Sequence, residues 1–588
     1  MHRRLWLLAG VLIAVAVTAA SATATGRVAA SSASASGAES HAAPFAESWA
    51  KVPRTAAARK ASNVVVVGEE QDINGFNTIL NCCNQLAGSY IGNFEAIRGA
   101  FNLNEKGEYF KDLVSAASAT SKTLSYTIKP NAYWYWGGKK LPVTYKDFVY
   151  TWQQYIDPKN DVVTRSPYDQ IAGYTHKGDK QITFRWKPCG AGGSTPEHPC
   201  GPYANWQSIF GGIYPAAALV GQDFNKIWTN CICGSDGKPV SNGPYYVSNY
   251  TKGQGSTLQA NPFFYSKAKI NEVDFKLIAD TNTEVQAMRG GEVDLIVPTF
   301  GLNLAPLKNQ SGITYEQVPA YFYEHLDLQE GKKASNPLLR SPWMRQAIMM
   351  GIDRQSLINT IYGPLAGNTK PLDSAIYYST QAQYKGPFKI FNYSQAKALA
   401  LLKKHGCTGG PSAPSANNSA IFTCAGYPAK FQYSWTANNA TRTTQEAIIE
   451  AQLKQIGIQL VAAPRAANVF FGQYVSQSDY DIANFAWVSP DGDPSGYYDI
   501  WRCGGESNYL GYCSRQVSKL MQQGQGELNP AKRAVLWNAA DAIMARTVPT
   551  IPLYQRPFPL IHKSDLLGVK INPGTLGPFW SIEAWHWK

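Results

Sequence analysis

Beyond Ala20 no stretch of this sequence is apolar for long enough to span a membrane, so the body of the chain is expected to be soluble. Basic runs are also missing. The 54 Lys and Arg exceed the 41 Asp and Glu by 13, but the excess is spread thinly, and no nucleic-acid arm or basic aromatic helix stands out. A nucleic-acid partner is therefore not expected. There are only 8 His, and no two sit at the spacing that puts metal ligands on one helix face. There is no G-x-S-x-G elbow, no glycine-rich phosphate loop and no dinucleotide fingerprint. A catalytic set gathered from distant residues leaves no local trace, but every local enzyme signature is absent. The expectation is a binding protein, not an enzyme, without a cofactor.

The chain is rich in aromatics, with 33 Tyr and 16 Trp in 588 residues. These rings offer flat apolar area with a polar handle, whether in a core or against a ligand. At 44% hydrophobic the chain has ample core for several lobes. At the N-terminus Arg3-Arg4 precedes an apolar run from Leu5 to Ala20 and small residues such as Ala22-Thr23-Ala24, the order of a secretory signal. Export is expected, to a periplasmic or extracellular face, with residues 1–25 a signal or an anchor. The first cysteine is Cys82, so none is placed to accept a lipid after cleavage. An exported chain with 10 Cys favours disulfides. Cys189 with Cys200, Cys407 with Cys424 and Cys503 with Cys513 each bracket a Gly/Pro/Ser-rich loop. Bridges between Cys82-Cys83 and Cys231-x-Cys233 would tie the N-terminal segment to a much later loop, with the pairing among the four left open, and vicinal and C-x-C spacings suit a four-thiolate metal site poorly.

Residues 26–61 are Ala/Ser-rich without an apolar period and read as a disordered linker. Order is expected to begin at Asn63-Val64-Val65-Val66-Val67-Gly68, a buried strand ended by glycine. Thr123 to Lys129 alternates as a strand. Val143 to Tyr155 reads as a helix with Thr144 as its cap. Pro342 to Tyr362 reads as two helical stretches meeting near Gly351, the second capped by Asp353. Thr443-x-x-Glu446 is a capping box opening a helix through Ile456, which Gly457 stops before a strand over Ile458 to Val461. A helix over Trp537 to Arg546 and a strand over Thr550 to Tyr554 follow. The architecture is mixed α/β with no internal repeat.

Several segments, in order, resemble one family. Thr123 to Trp152 is similar to a strand, a "DG-x-P-h-T-A-x-D-V" loop and a helix, with Gly137-Gly138 where Asp-Gly is usual. Ser241-Asn-Gly-Pro-Tyr245 resembles "GTGPY", Asn261-Pro-Phe-Phe-Tyr265 resembles "NP-x-Y-W", and Gly290-Gly-Glu-Val-Asp294 resembles "SGEID". Arg345 to Arg354 resembles "RQAL-x-x-AIDR", Tyr393 to Leu402 a short helix, Asp481 to Pro494 a strand with "W-x-ADYPDP", and Ala545 to Tyr554 the closing "P-x-IPLY". The chain thus resembles the extracellular solute-binding proteins of family 5, the oligopeptide- and dipeptide-binding group that serves ABC importers.

The resemblance implies a two-lobed periplasmic-binding-protein-like fold of type II, in the large class with an extra subdomain, built of mixed sheets around a hinge. It implies lobe 1 over 62–108, 236–318 and 548–588, the extra subdomain over 109–235 and lobe 2 over 319–547, with crossings near Gln317 to Asp327 and Thr547 to Tyr554. It implies a monomer that closes on a peptide or other small solute and hands it to permease subunits. An oligosaccharide or metal chelate fits the same fold, and an exported sensor or chaperone-like module is the alternative of another class.

In relatives the first Asp of "W-x-ADYPDP" meets the peptide amine. Here Trp487-Val-Ser-Pro-Asp-Gly-Asp-Pro494 puts Pro490 at that position and Asp491 one residue later. Trp487 is expected as a stacking wall, with a hinge-side core role as the alternative, and Asp491 as a displaced carboxylate. Asp491-x-Asp493-x-Ser495-Gly496 echoes a calcium loop, but Arg502 stands where the bidentate Glu belongs, so no metal is expected. Trp435 is a stacking candidate and Asn438, Asn439 and Arg442 are polar candidates, at a strand-to-helix corner that suits anions or plain capping. Glu69 and Glu70 line the cleft by the same analogy, and Tyr168 is the candidate from the subdomain.

Overall fold

The computed structural model describes residues 55–190 and 193–588; the signal and most of the linker lie outside the described residues. Ala56–Ser62 (α1) is helical, which corrects the linker expectation at its C-terminal end. Thr55 caps this helix, and the buried Arg59 binds Asp294 with Nε and Nη2 at 2.7 and 2.6 Å. Polar anchoring of this kind leaves no hydrophobic period to read.

β1 (Val64–Glu69) is buried along nearly its whole length. β2 (Val114–Ala119) and β3 (Thr123–Ile128) pair, and β3 buries every second residue, as its alternation predicts. α2 (Tyr145–Ile156) starts in a capping box made by Thr144 and Asp147. β4 (Ile171–Lys177) and β5 (Gln181–Trp186) complete a four-stranded sheet of order β2-β3-β5-β4. Next come β6 (Tyr245–Thr251), β7 (Gly255–Ala260), β8 (Glu272–Leu277), α3 (Thr281–Gly290), β9 (Leu295–Ile296) and the long β10 (Ile313–Leu328). α4 (Pro342–Gly351) and α5 (Arg354–Tyr362) meet at Gly351, and Asp353 caps the second. β11 (Lys430–Ser434), α6 (Ala440–Lys454), β12 (Gln459–Ala462), β13 (Ile482–Val488), α7 (Arg515–Gly526), α8 (Pro530–Thr547) and β14 (Thr550–Lys563) close the chain.

Two helix starts differ from expectation. α6 opens at Asn439, whose side chain accepts from the Arg442 N–H, and Thr443 lies within its first turn. Asn caps as well as Thr does, and the left-handed Asn438 before it turns the chain one residue earlier still. α8 opens at Asn529 and Pro530, two turns ahead of Trp537, using an Asn cap with proline at the first helical position.

The main sheet has ten strands in the order β6-β7-β8-β1-β9-β14-β10-β13-β11-β12. β10 and β14 carry it from one lobe to the other. Ile313 to Pro319 pairs with Pro557 to Lys563, and Tyr323 to Asp327 pairs with Thr550 to Gln555. The register shifts between Pro319 and Tyr323, where Pro319 faces Pro557 and neither has an N–H to give. The break on β10 falls inside the expected crossing. On β14 it falls at 555–557, just beyond the expected Tyr554. One core joins Phe148, Phe184 and Phe210 to Val65, Phe558 and Trp585; a second joins Met344, Ile449 and Trp537 to Leu553.

Cys189–Cys200, Cys407–Cys424 and Cys503–Cys513 are disulfides. The other four cysteines, whose pairing the sequence leaves open, bond within their own clusters: Cys82 bonds Cys83 and Cys231 bonds Cys233. Each lies within bridging reach of its neighbour, at Cα separations of 3.8 and 5.4 Å, so neither cluster needs the other. Among the described residues no helix is long and apolar enough to cross a membrane.

Candidate functional site

Where β1, β13 and the β10–β14 crossing end together, they frame a cavity of about 630 Å³. This is inside the ~300–1,000 Å³ range that takes a small organic solute. Glu69 and Glu70 enter it from the end of β1, Trp487 from β13, Arg556 and Phe558 from β14, and Tyr168 from the short turn after Pro167.

Trp487 forms a wall held on three sides. Its indole stacks on buried His325 at 5.6 Å and 11°, lies parallel to Tyr509 at 6.4 Å and 17°, and takes Phe485 edge-on at 5.0 Å. Its Nε1 is buried without a hydrogen-bond partner among the described residues. Trp487 is therefore both packed on these rings and cavity-facing. Tyr168 also lines the cavity, with its ring stacked on Tyr155 at 3.8 Å and its hydroxyl accepting from the Phe210 N–H at 2.9 Å.

Glu70 Oε2 accepts from the N–H and the hydroxyl of Thr299 at 3.1 and 2.8 Å, while its buried Oε1 has no partner among the described residues. Glu69 accepts from the Gln71 N–H at 3.1 Å. Burial at the wall, helped by the neighbouring Glu70, pushes the Glu69 carboxyl from its ordinary 4.5 up to about 8. The folded state then holds a proton that the unfolded chain has released. Stability contributed by Glu69 is present below pH 4.5 and is lost as pH rises through about 8. Glu69→Gln should flatten that part of the stability–pH curve of the empty protein, measured by denaturant unfolding at successive pH values. An unchanged slope would show that Glu69 titrates normally.

Arg442 borders the cavity but is already occupied. Its Nε and Nη2 reach Glu324 at 2.7 and 3.4 Å, and Nη1 donates to Thr436 at 2.9 Å. Asn438 and Asn439 lie outside the main cavity, lining an adjoining hollow of about 290 Å³ with Glu70 between the two. Asn439 donates to Thr299 as well as capping α6.

Two further candidates reach neither the cavity nor this hollow. Trp435 is a core residue, 3% exposed, with its ring against Tyr433 and its N–H on Thr443. β11 is an interior strand of the sheet, which turns this ring into the core. Asp491 faces the other way. It accepts from the Tyr109 hydroxyl at 2.6 Å, Asn205 Nδ2 at 2.6 Å and the Asp493 N–H at 2.9 Å. Pro490 takes the cavity side instead, its carbonyl packed on Gly574, where a Cβ would lie 1.8 Å from it.

Sequence reasoning missed Tyr509, Arg556, Tyr90 and Gln85, which also line the cavity. Tyr509 sits in the loop bridged by Cys503 and Cys513, and that loop closes over the cavity. Tyr509 donates to Asn81 at 2.9 Å, Ser507 donates to the Val163 carbonyl at 2.8 Å, and Arg165 pairs with Glu506 at 2.9 Å. The bridge was the available signal, because a braced loop holds its contacts at lower entropic cost.

A model of the bacterial extracellular solute-binding proteins, family 5 Middle, matches residues 108–509. The oligopeptide-binding protein OppA of Bacillus subtilis (strain 168) is 25% identical over 505 residues, which is 82% of this chain and 86% of OppA. The fold is shared with the oligopeptide-binding protein AppA from Bacillus subtilis in complex with a nonapeptide, at a TM-score of 0.76, 19% identity and coverage of 89% and 99%. It is also shared with the periplasmic EDTA-binding protein EppA, at a TM-score of 0.75, 20% identity and coverage of 89% and 96%.

Proposed function

Since this chain belongs to the bacterial extracellular solute-binding proteins of family 5, we propose that it is the receptor of an ABC importer, capturing a peptide or peptide-like solute between its lobes and presenting it to permease subunits. The observation that carries the reading is the cavity of about 630 Å³, walled from both sides of the β10–β14 crossing and covered by the bridged loop. A solute there loses its water, and its hydrogen bonds strengthen in the lower dielectric. Closure about a two-strand crossing converts occupancy into a shape that a membrane partner reads. The family likeness is to proteins that bind solutes, and catalysis plays no part in this reading.

Thermal-shift screening of the purified chain tests it, because a solute held only by the folded clamp raises the melting temperature, by ~2.7 kcal/mol of stability at a hundredfold excess over Kd. Short-peptide pools are expected to stabilise the protein more than oligosaccharide or metal-chelate pools. Stabilisation by a chelate alone would move the reading toward solutes such as that named for EppA. Binding only to unfolded polypeptides, with no solute stabilising, would replace the receptor by a chaperone-like module.

A further inference from the structure

We infer that the seam between the subdomain and lobe 2 is a proton-linked latch: Asp169 and Asp499 come together across it as two carboxyl groups, so the clamp takes up protons as it closes and closes more readily in acid. The latch rests on the receptor reading above in one respect, that the two lobes part along this seam.

Tyr168 and Ile171, beside Asp169, belong to the first core, and Tyr498 and Ile500, beside Asp499, belong to the second. Several bonds across the seam are neutral and hold at any pH. Gln522 donates to Ser194 Oγ at 2.7 Å, the Ala204 N–H donates to the Gln525 carbonyl at 2.8 Å, and the Ser166 hydroxyl donates to Gln525 Oε1 at 3.3 Å. The charged groups are less evenly matched. Lobe 2 brings Asp499, Arg502 and Glu506, and the subdomain brings Asp169, Arg165 and Lys187. Arg502 pairs with Asp499 and, at 2.7 Å, with Glu506. Arg165 reaches the same Glu506 at 2.9 Å, and the Thr164 hydroxyl donates to Asp499. Both arginines are thereby engaged by carboxylates of lobe 2. Asp169 keeps a buried Oδ1 without a hydrogen-bond partner among the described residues. Lys187 is exposed, where water and salt screen it, so it offsets only part of the charge on Asp169. Tyr498 also faces the two carboxyls, and burial keeps its phenol neutral.

Burial, and next the facing Asp499, push the Asp169 carboxyl from its ordinary 3.8 up to about 7. Burial raises Asp499 as well, with Glu506 adding to the effect and Arg502 opposing it. Parting the seam returns both groups to water and to the ordinary carboxylate range. The closed form therefore holds protons that the open form has released. Below pH 3.8 both forms are protonated at Asp169 and closure is unopposed; as pH rises from there through about 7, closure is progressively disfavoured. Each unit of displacement is worth tenfold, so the closed-to-open ratio should fall roughly tenfold or more between about pH 5 and about pH 8. Glu69 acts in the same direction from the cavity wall, so the test turns on Asp169.

Small-angle X-ray scattering of the purified full chain without solute, at fixed ionic strength, reads the closed-to-open balance as a radius of gyration. The radius is expected to be smaller at about pH 5 than at about pH 8. Asp169→Asn should keep the smaller radius at both, and Asp169→Glu, which retains the carboxyl, should restore the response. Far-ultraviolet circular dichroism checks that each variant folds. Calorimetry with tri-alanine at about pH 6, in two buffers of different ionisation heat, should show proton uptake on binding that Asp169→Asn reduces. A radius and a binding heat that show no proton linkage, or a response that Asp169→Asn retains in full, overturn the latch. The latch and the receptor reading fail separately. Stabilisation by short peptides with no proton linkage leaves the receptor without the latch. A radius that follows pH through Asp169, with no solute stabilising the chain, leaves the latch without the receptor.

Discussion

Replacing Asp294 with alanine should cost the protein about 3–5 kcal/mol of stability, because it takes from the buried Arg59 the carboxylate that its Nε and Nη2 both bind. The two side chains are 1% and 0% exposed, and both carboxylate oxygens of Asp294 receive Arg59 at 2.6–2.7 Å. The same Asp294 takes the Val66 N–H at 2.9 Å, so the pair also ties α1 to β1. Its two halves are not equivalent. Burial pushes the Asp294 carboxyl up even against Arg59, so in Arg59→Ala the acid can escape the cost by keeping a proton. A guanidinium has no such escape. Asp294→Ala is therefore expected to lose more than Arg59→Ala, and Arg59→Ala is expected to lose stability as pH rises above the ordinary carboxylate range. The double variant Arg59→Met/Asp294→Leu should recover most of the loss, since two apolar side chains bury nothing charged. Urea unfolding of all four proteins checks this. Equal losses in the two single variants, or no recovery in the double, would show that packing and not the lost charge pairing dominates.

That pair also shows what kind of information a sequence carries. β1, β3, α2 and α5 were legible, because each is written in nearest neighbours: four valines in a row, a strict alternation, a Thr or Asp cap before an apolar stripe. α1 was not, since the buried Arg59 is held by residues more than 230 positions away, Gly291 and Asp294. The start of α6 was misplaced because two capping patterns overlap within five residues, and only the turn at Asn438 decides between them. The pairing of Cys82, Cys83, Cys231 and Cys233 stays open in the sequence, because spacing says nothing about which sulfur lies nearest. At the site, Glu69, Glu70, Trp487 and Tyr168 reach the cavity by residue type and by family likeness together. Asp491 has the right chemistry in the right segment and still turns away, because Tyr109 and Asn205 compete for its carboxylate. Which side of a loop a carboxylate faces is settled by such tertiary partners, and no local pattern encodes them. Arg556 was passed over for the complementary reason. Only in three dimensions is it visible that Glu324 is shared and leaves one arginine short of a partner.

Trp487→Ala should weaken solute binding by at least ~30-fold, about 2 kcal/mol, the scale of a central aromatic anchor. The indole is rigid before any solute arrives, clamped between His325 and Tyr509 with Phe485 at its edge, so stacking on it costs little ordering entropy. It also offers a buried Nε1 that no protein acceptor meets. Trp487→Phe separates the two contributions. It keeps a ring face and removes the donor, so about 0.5–1.5 kcal/mol should go if a solute oxygen accepts that hydrogen bond. Calorimetry with the best-stabilising peptide measures both variants. An alanine variant that binds within a factor of two of the parent would make Trp487 a packing residue only. The kinetics carry a further consequence. Tyr509 lies in the same stack, and its hydroxyl holds Asn81 across the cavity, so removing the indole loosens the cover as well as the wall. The loss should therefore appear mainly as faster dissociation, since entry into the open cleft does not depend on a contact made only on closure.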